Sequence, residues 1–334
     1  MASKIRFGFL GLGRIAQSDH IPALLDLKDQ AEICAVYDSA PGKAAARSKE
    51  FKIAPKLCAS EQELLESDID AVIIATANVC HYPQTLAALK AGKHVLVEKP
   101  MSFTTAQADE MIDLSLKQGL VLQVNQSFRY TPLMNETKRL IDDGLLGDIL
   151  HYRSQRTMVD SPDVFWSSGA TWFTDPMFEG SLVGDIAVHM ADAMDWFCGP
   201  VETLSAVTRK RRRQVEDEVF ALFNYSTGAV GTMELSWNFP TAWRSDEIYG
   251  TKGSLRLCCN SLAFEFIPAG AKEASKVIVA PSPNPYPNSQ QCFIEAIRKN
   301  STTAWSFGRN ALALVEAIRI AGAQGRTVAP NYRK

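Results

Sequence analysis

The stretch "DIAVHMAD", residues 185–192, sets Asp185 and His189 four residues apart in an apolar run that reads as a helix. Positions i and i+4 share one helix face, so the two side chains can point at one spot. Histidine titrates near neutrality and can take a proton from a hydroxyl. A carboxylate one turn away can bind a substrate hydroxyl or hold the imidazole in orientation. The neighbours Ile186, Val188, Met190 and Ala191 imply a buried helix, in which an Asp and a His need partners or a purpose. The alternative is a pair of polar neighbours with no chemistry. Asp192, three residues on, shares roughly the same face and reads either as support for the pair or as a structural residue.

A second group lies early in the sequence. "GLGRIA" at 11–16 follows an apolar strand and opens a helix. Gly11 allows the tight turn. Gly13 lets a pyrophosphate approach the backbone at a helix N-terminus, beside Arg14 and Ile15, where unpaired N–H groups favour an anion. Ala16 is the permitted third small residue. Asp38 ends the next strand, "AEICAVYD", where a carboxylate accepts hydrogen bonds from adenosine ribose hydroxyls and repels a 2′-phosphate. A dinucleotide cofactor is therefore expected, NAD in preference to NADP. Ser39, Lys43 and Arg47 lie close enough to serve a phosphate, although Lys43 and Arg47 read as a solvated helix face. Lys99, in the strand end "HVLVEKP", is the third group. In such folds ligands gather outside the carboxyl ends of the strands, which is where Lys99 falls.

The elements that carry these residues divide the sequence in two. Through residue 125, strands ("KIRFGFLG", "AEICAVYD", "DAVIIAT", "KHVLVEKP", "LVLQVNQ") alternate with helices. That alternation specifies a doubly wound parallel sheet, a Rossmann fold. After "PLMNETKRLIDDG", strands follow strands from 201 to 280, split by hairpin signals such as "STGA" and "TKGS". They imply an α+β domain with a large, mainly antiparallel open sheet. Two helices, around 288–299 and 308–322, follow. The expected division is an NAD(P)-binding domain over 1–125 and a substrate-binding, oligomerising domain over 126–334.

Bulk properties exclude some partners. A net charge of −2 over 334 residues gives no general affinity for nucleic acid or acidic membranes. No apolar run reaches the roughly 20 residues of a membrane helix. The seven cysteines form no zinc-type cluster and read as free thiols of a cytoplasmic protein, so no metal is expected. The basic run "RKRRR" at 209–213 precedes Glu216, Asp217 and Glu218 and reads as a self-neutralising surface.

"GLGRIA", "TANVCH" (76–81), "EKP" (98–100) and "DIAVH" (185–189) occur in that order. Together they resemble the glucose–fructose oxidoreductase, inositol dehydrogenase and rhizopine-catabolism family across nearly the whole sequence. "NQSFRYTPLMNETKRLIDDGLLGDI", "GAVGTMELSW" and "YGTKGSLRL" extend the likeness. The resemblance implies oxidation of a secondary alcohol on a sugar, cyclitol or derivative with NAD, NADP being the variant. It implies His189 as base, Lys99 on the reacting oxygen and Asp185 assisting, with Thr76, Asn78, His81 and Glu98 around the cofactor. His81 then lines the cofactor pocket or caps a helix. His20, His94 and His151 carry no signal. The family often has the Lys–Pro bond in cis, and its members pair through the second sheet, so a homodimer or homotetramer is expected. Phe220, Phe223, Tyr225 and Trp237 are candidates for that interface, and Arg156, Asp160, Asp163, Trp166, Trp172 and Phe173 for substrate selection in a loop at 156–180. Ala77 stands where proline is usual, which puts a turn near the nicotinamide in question. Two other readings belong to the resemblance: redox-neutral glycoside hydrolysis on retained NAD, and a non-catalytic dinucleotide sensor.

Overall fold

The structure, a computed structural model, describes residues 3–178, 180–258, 263–273, 276–282 and 284–333. Cys259, expected back to back with Cys258 in a strand, lies outside the described residues. The chain divides into two compact units, Met1–Gln126 with Asn288–Arg309, and Ser127–Pro287 with Asn310–Lys334.

The first unit is built on β1 (Ile5–Leu10), β2 (Ala31–Tyr37), β3 (Lys56–Leu57), β4 (Ala71–Ile74), β5 (His94–Glu98) and β6 (Leu122–Asn125). Their order is β3-β2-β1-β4-β5-β6 and every neighbouring pair is parallel. The unbroken apolar run of β4 is buried throughout, as a central strand covered on both faces must be. Chain order reverses between β1 and β4, the place where ligands enter such sheets. β3 has two exposed residues and no apolar pattern, so the sequence does not announce it.

The expected second domain, unbroken from 126, is interrupted here. Helix Ser289–Lys299 returns to the first sheet, with Phe293 and Ile294 fully buried and the Phe293 ring 6.1 Å from that of Phe7. Gln123 of β6 donates to the Ser289 carbonyl at 2.9 Å. Amphipathic spacing reveals that a helix has a face to bury, but not which sheet receives it.

The second unit holds β7 (Ile149–Thr157), β8 (Val201–Arg209), β9 (Glu218–Tyr225), β10 (Val230–Ser236), β11 (Trp243–Gly250), β12 (Gly253–Cys258), β13 (Ala263–Pro268) and β14 (Lys276–Val279). The order is β14-β13-β12-β11-β7-β10-β9-β8, antiparallel except for β7 beside β10. Helix Val188–Cys198 packs Met190, Met194 and Phe197 into the apolar core that this sheet supplies.

Strand parity corrects the expected interface. Along β9, Val219, Ala221, Phe223 and Tyr225 are buried while Phe220 and Leu222 are exposed, because successive side chains point to opposite faces. Phe223, Tyr225 and Trp237 belong to the core, and of the four aromatics only Phe220 faces outward. Arg156 also departs from expectation. It lies in β7, buried, ion-paired with Asp246 and donating to the carbonyls of Gln155 and Ser245. Asp246 also accepts from the Tyr152 hydroxyl at 3.0 Å.

The basic run is a folded loop between β8 and β9. The carboxylate of Asp217, fully buried, accepts the backbone N–H groups of Arg211, Arg212 and Arg213 at 2.8, 2.8 and 3.1 Å. Arg211 pairs with Glu218 at 2.8 Å. Arg213 pairs with Asp160 and donates to Ser161 at 3.1 Å, fastening the loop at 156–180 to the sheet. We predict that Asp217→Ala lowers unfolding free energy by about 3 kcal/mol, since three N–H groups lose their acceptor together. Urea denaturation checks this, and a change below about 1 kcal/mol would remove the anchoring role.

Candidate active site

In the first unit the exit of β1 forms the glycine turn. Gly11 has φ +87°, and a Cβ there would stand 2.5 Å from the Ala75 carbonyl oxygen. A Cβ on Gly13 would meet nothing nearer than that same oxygen at 4.0 Å, so the bare backbone faces open space. Arg14 and Ile15 follow in helical conformation. Asp38 is drawn onto this turn: its side chain is 7 % exposed, and Oδ2 accepts the Leu12 N–H at 2.8 Å. Oδ1 accepts the Ala40 N–H at 2.9 Å, and Lys43 sits 3.0 Å from Oδ2. Lys43 is therefore an ion-pair partner of Asp38 and not the plain solvated residue expected, while Arg47 pairs with Glu50. A tight turn, an uncovered backbone and an oriented carboxylate together fit a dinucleotide.

The same end of the sheet carries the lysine turn. Lys99–Pro100 is a cis peptide. The Glu98 side chain folds back so that Oε2 accepts the Lys99 N–H at 3.2 Å. Its Oε1 accepts from His20 Nε2 at 2.9 Å and from Asn125 Nδ2 at 2.6 Å. Burial works to raise the Glu98 carboxyl, yet the hydrogen bonds from His20 and Asn125 hold it below its ordinary value. Beyond the cis bond, the Pro100 carbonyl faces His81 Nδ1 at 2.8 Å, and Thr76 O lies 3.2 Å from Nε2. Burial lowers the pKa of His81, and both of its ring nitrogens face backbone carbonyl oxygens. Thr76 donates to Gln84 at 2.6 Å. Asn78 is buried at the start of helix Asn78–Lys90, whose cap residue Ala77 has φ −70°. That is the angle proline would impose, so the missing proline leaves the turn unchanged.

In the second unit Asp185 and His189 are each 7 % exposed. Asp185 lies in a π-turn, Val183–Ala187, that leads into helix Val188–Cys198; the helix after the glycine turn starts with another, Ala16–His20. Such turns recur at functional sites. The His189 ring stacks on Phe128 with centroids 4.4 Å apart. Next to it Arg129, 4.7 Å over the Trp196 ring, donates to both oxygens of Asp192 at 3.0 and 2.8 Å. The turn Ser127–Tyr130 thus braces the helix at two of its three polar residues.

Residues 5–126 match the model of the oxidoreductase family with an NAD-binding Rossmann fold, and residues 134–256 match the GFO/IDH/MocA C-terminal domain. The dTDP-3,4-didehydro-2,6-dideoxy-alpha-D-glucose 3-reductase of Streptomyces antibioticus is 32% identical over 258 residues, 76% of this chain and 75% of that protein. The chain belongs to the GFO/IDH/MocA oxidoreductase family. Another GFO/IDH/MocA relative, the 1,5-anhydro-D-fructose reductase of Ensifer adhaerens, is 28% identical and covers 75% of this chain and 74% of its own. A levoglucosan dehydrogenase solved with NADH superposes with TM-score 0.88 over 99% of this chain and all of its own; at 22% identity this is a likeness of fold. The expected fold class and the NAD-binding character of the first unit are those of GFO/IDH/MocA proteins. Among the described residues, no helix is long and apolar enough to cross a membrane.

Three participants escaped the sequence reading of this GFO/IDH/MocA chain: His20, Asn125 and Phe128. For His20 a signal existed. It falls four residues after Ala16 and four before Leu24, on the buried side of its helix. Phe128 and Asn125 had none, because a strand exit does not show what it faces.

Asp192 gives a pH-dependent test. Burial pushes its carboxyl up to about 6, against the opposing pull of Arg129. A native value above the unfolded one stabilises the fold at low pH, and that contribution is lost as pH rises through about 6. Relative to Asp192→Asn, the wild type should lose about 2 kcal/mol of unfolding free energy between about pH 4 and 7. Urea curves at both values check this; a difference that does not vary with pH would rule out the assigned cause.

Proposed function

We propose that the protein oxidises a secondary alcohol of a sugar, cyclitol or related polyol, with NAD as the favoured cofactor and NADP as the variant. The observation that carries the reading is the burial of Asp185 and His189, one turn apart, on a π-turn and helix whose Val183, Val188, Met190 and Met194 pack into the apolar core. Groups so expensive to bury are kept where they act. Family membership and the sugar-derived names of the relatives support the substrate class.

The cofactor, when bound, supplies the hydride acceptor. The backbone of Gly11 and Gly13, with Arg14 and Ile15, holds its pyrophosphate, and Asp38 accepts from the adenosine ribose. Thr76, Asn78, His81, Glu98 and Lys99 line the rest of its cleft. Lys99 donates a hydrogen bond to the reacting oxygen and favours its anionic form. His189 takes the hydroxyl proton, and Asp185 binds a neighbouring hydroxyl or orients the imidazole. Exposed Trp166 supports recognition of a ring's apolar face, while Phe173 is buried and packs against Trp172.

Absorbance at 340 nm, with NAD and NADP, across sugars, anhydrosugars, cyclitols and sugar nucleotides tests the reading. Wild type is expected to turn over at least one class. Lys99→Ala and His189→Ala should each lose about 10²-fold or more in kcat. Unimpaired turnover by either variant would sink its assigned role. Removal of the carboxylate in Asp38→Ala should raise KM for NAD by about tenfold or more and that for NADP by less.

We also propose that two copies pair through the outer face of the second sheet. Val207, Phe220 and Leu222 are 44, 37 and 45 % exposed on adjacent β8 and β9, with Val207 directly opposite Phe220. Phe220→Glu combined with Leu222→Glu should then halve the mass measured by light scattering. A monomeric wild type would refute the pairing.

A further inference from the structure

We propose that His20 is a positioning residue for the lysine turn, acting through Glu98; the catalytic side of this rests on the reading of Lys99 given above. The carboxylate of Glu98 is buried and accepts from His20, from Asn125 and from the Lys99 peptide N–H. An ionised carboxylate in that setting stays where its donors hold it, since losing one leaves a charge uncompensated. One oxygen, Oε2, holds the peptide that bears Lys99, and the other, Oε1, is fixed by His20 and Asn125. The direction of the carboxylate, and with it that of the peptide, is set by His20 together with Asn125.

His20 is itself held. The amide of Gln290, in helix Ser289–Lys299, donates to Nδ1 at 2.8 Å, which leaves the ring proton on Nε2 facing Glu98. The ring stands edge-on to Phe9, with centroids 6.5 Å apart, and is fully buried. Few side chains can accept on one edge and donate on the other at this reach. Histidine does so with a rigid ring, and glutamine does so less rigidly. The chain Gln290–His20–Glu98 therefore connects the returning helix, the segment after the glycine turn and the lysine turn. Asp19, 3.3 Å from Asn125 Nδ2, borders the same cluster.

The test uses full-length His20→Leu, which keeps the bulk and loses both ring nitrogens, and His20→Gln, which keeps a donor and an acceptor. Three quantities are read: amide hydrogen exchange of the peptide spanning Glu98–Phe103, the dissociation constant of NADH by fluorescence, and kcat on the alcohol that turns over in the 340 nm screen. In His20→Leu the Lys99 amide should exchange about tenfold faster or more while amides of β1 keep their protection. NADH affinity should stay within about twofold, and kcat should fall about 100-fold, the loss expected from displacing a reacting group by about 1 Å. His20→Gln should restore most of both. If His20→Leu does not fold, Gln290→Leu leaves Glu98 its partner but frees the ring, and should give a smaller effect in the same direction. Unchanged exchange at Lys99 in a folded variant overturns the proposal. So does faster exchange with unchanged kcat when Lys99→Met is inactive. If Lys99→Met retains full kcat, the catalytic reading of Lys99 fails instead, and faster exchange in His20→Leu still supports the hold of His20 on the turn.

Discussion

Everything proposed for the first unit depends on how closely Gly11 approaches the Ala75 carbonyl. No side chain fits between them, and the backbone there takes a left-handed angle that only glycine adopts without strain. The approach brings the exits of β1 and β4 side by side at the point where chain order reverses. It lets Asp38 reach across to Leu12, and it aims the helix that follows so that His20 arrives beside Glu98. Dinucleotide turn and lysine turn are two products of one steric constraint.

The second unit shows what buried charge can do besides chemistry. Asp217 gathers three backbone N–H groups and gives a basic loop its shape. Arg156 and Asp246 sit paired within the sheet, and Arg129 and Asp192 brace a helix. Each group, removed from water, must be matched, and the matching fixes irregular segments that apolar packing leaves loose. The loop at 156–180, where substrate selection was expected, is tied down at Asp160 and Ser161 by Arg213.

Much of this was legible beforehand, for physical reasons. Apolar runs and glycine turns revealed β1, β2, β4, β5 and β6, and an acid closing a strand marked Asp38. Spacing in an apolar helix singled out Asp185 and His189 and a strand end singled out Lys99; the resemblance added their joint role, which is a proposal. What stayed hidden depended on tertiary partners. Arg156 read as a candidate for substrate selection because its counter-ion lies 90 positions away. Three of the four candidate interface aromatics belong to the core: Phe223 and Tyr225 because they cannot share a strand face with Phe220, and Trp237 because it packs inward beyond the end of β10. Lys43 seemed a plain surface charge because nothing local says that Asp38 turns towards it.

The return of Asn288–Arg309 to the first unit matters during synthesis. A ribosome that has released residue 126 has delivered five of the sheet's flanking helices but not the one that covers Phe7, nor Gln290 behind His20. At ~5–20 residues per second, that missing piece emerges roughly 10 to 40 s later, after all eight strands of the second sheet. For that interval an apolar face of the nascent unit is open to chaperones or to another chain. The order of the genetic message thus keeps the cofactor-binding half, begun first, open until the chain has reached Arg309.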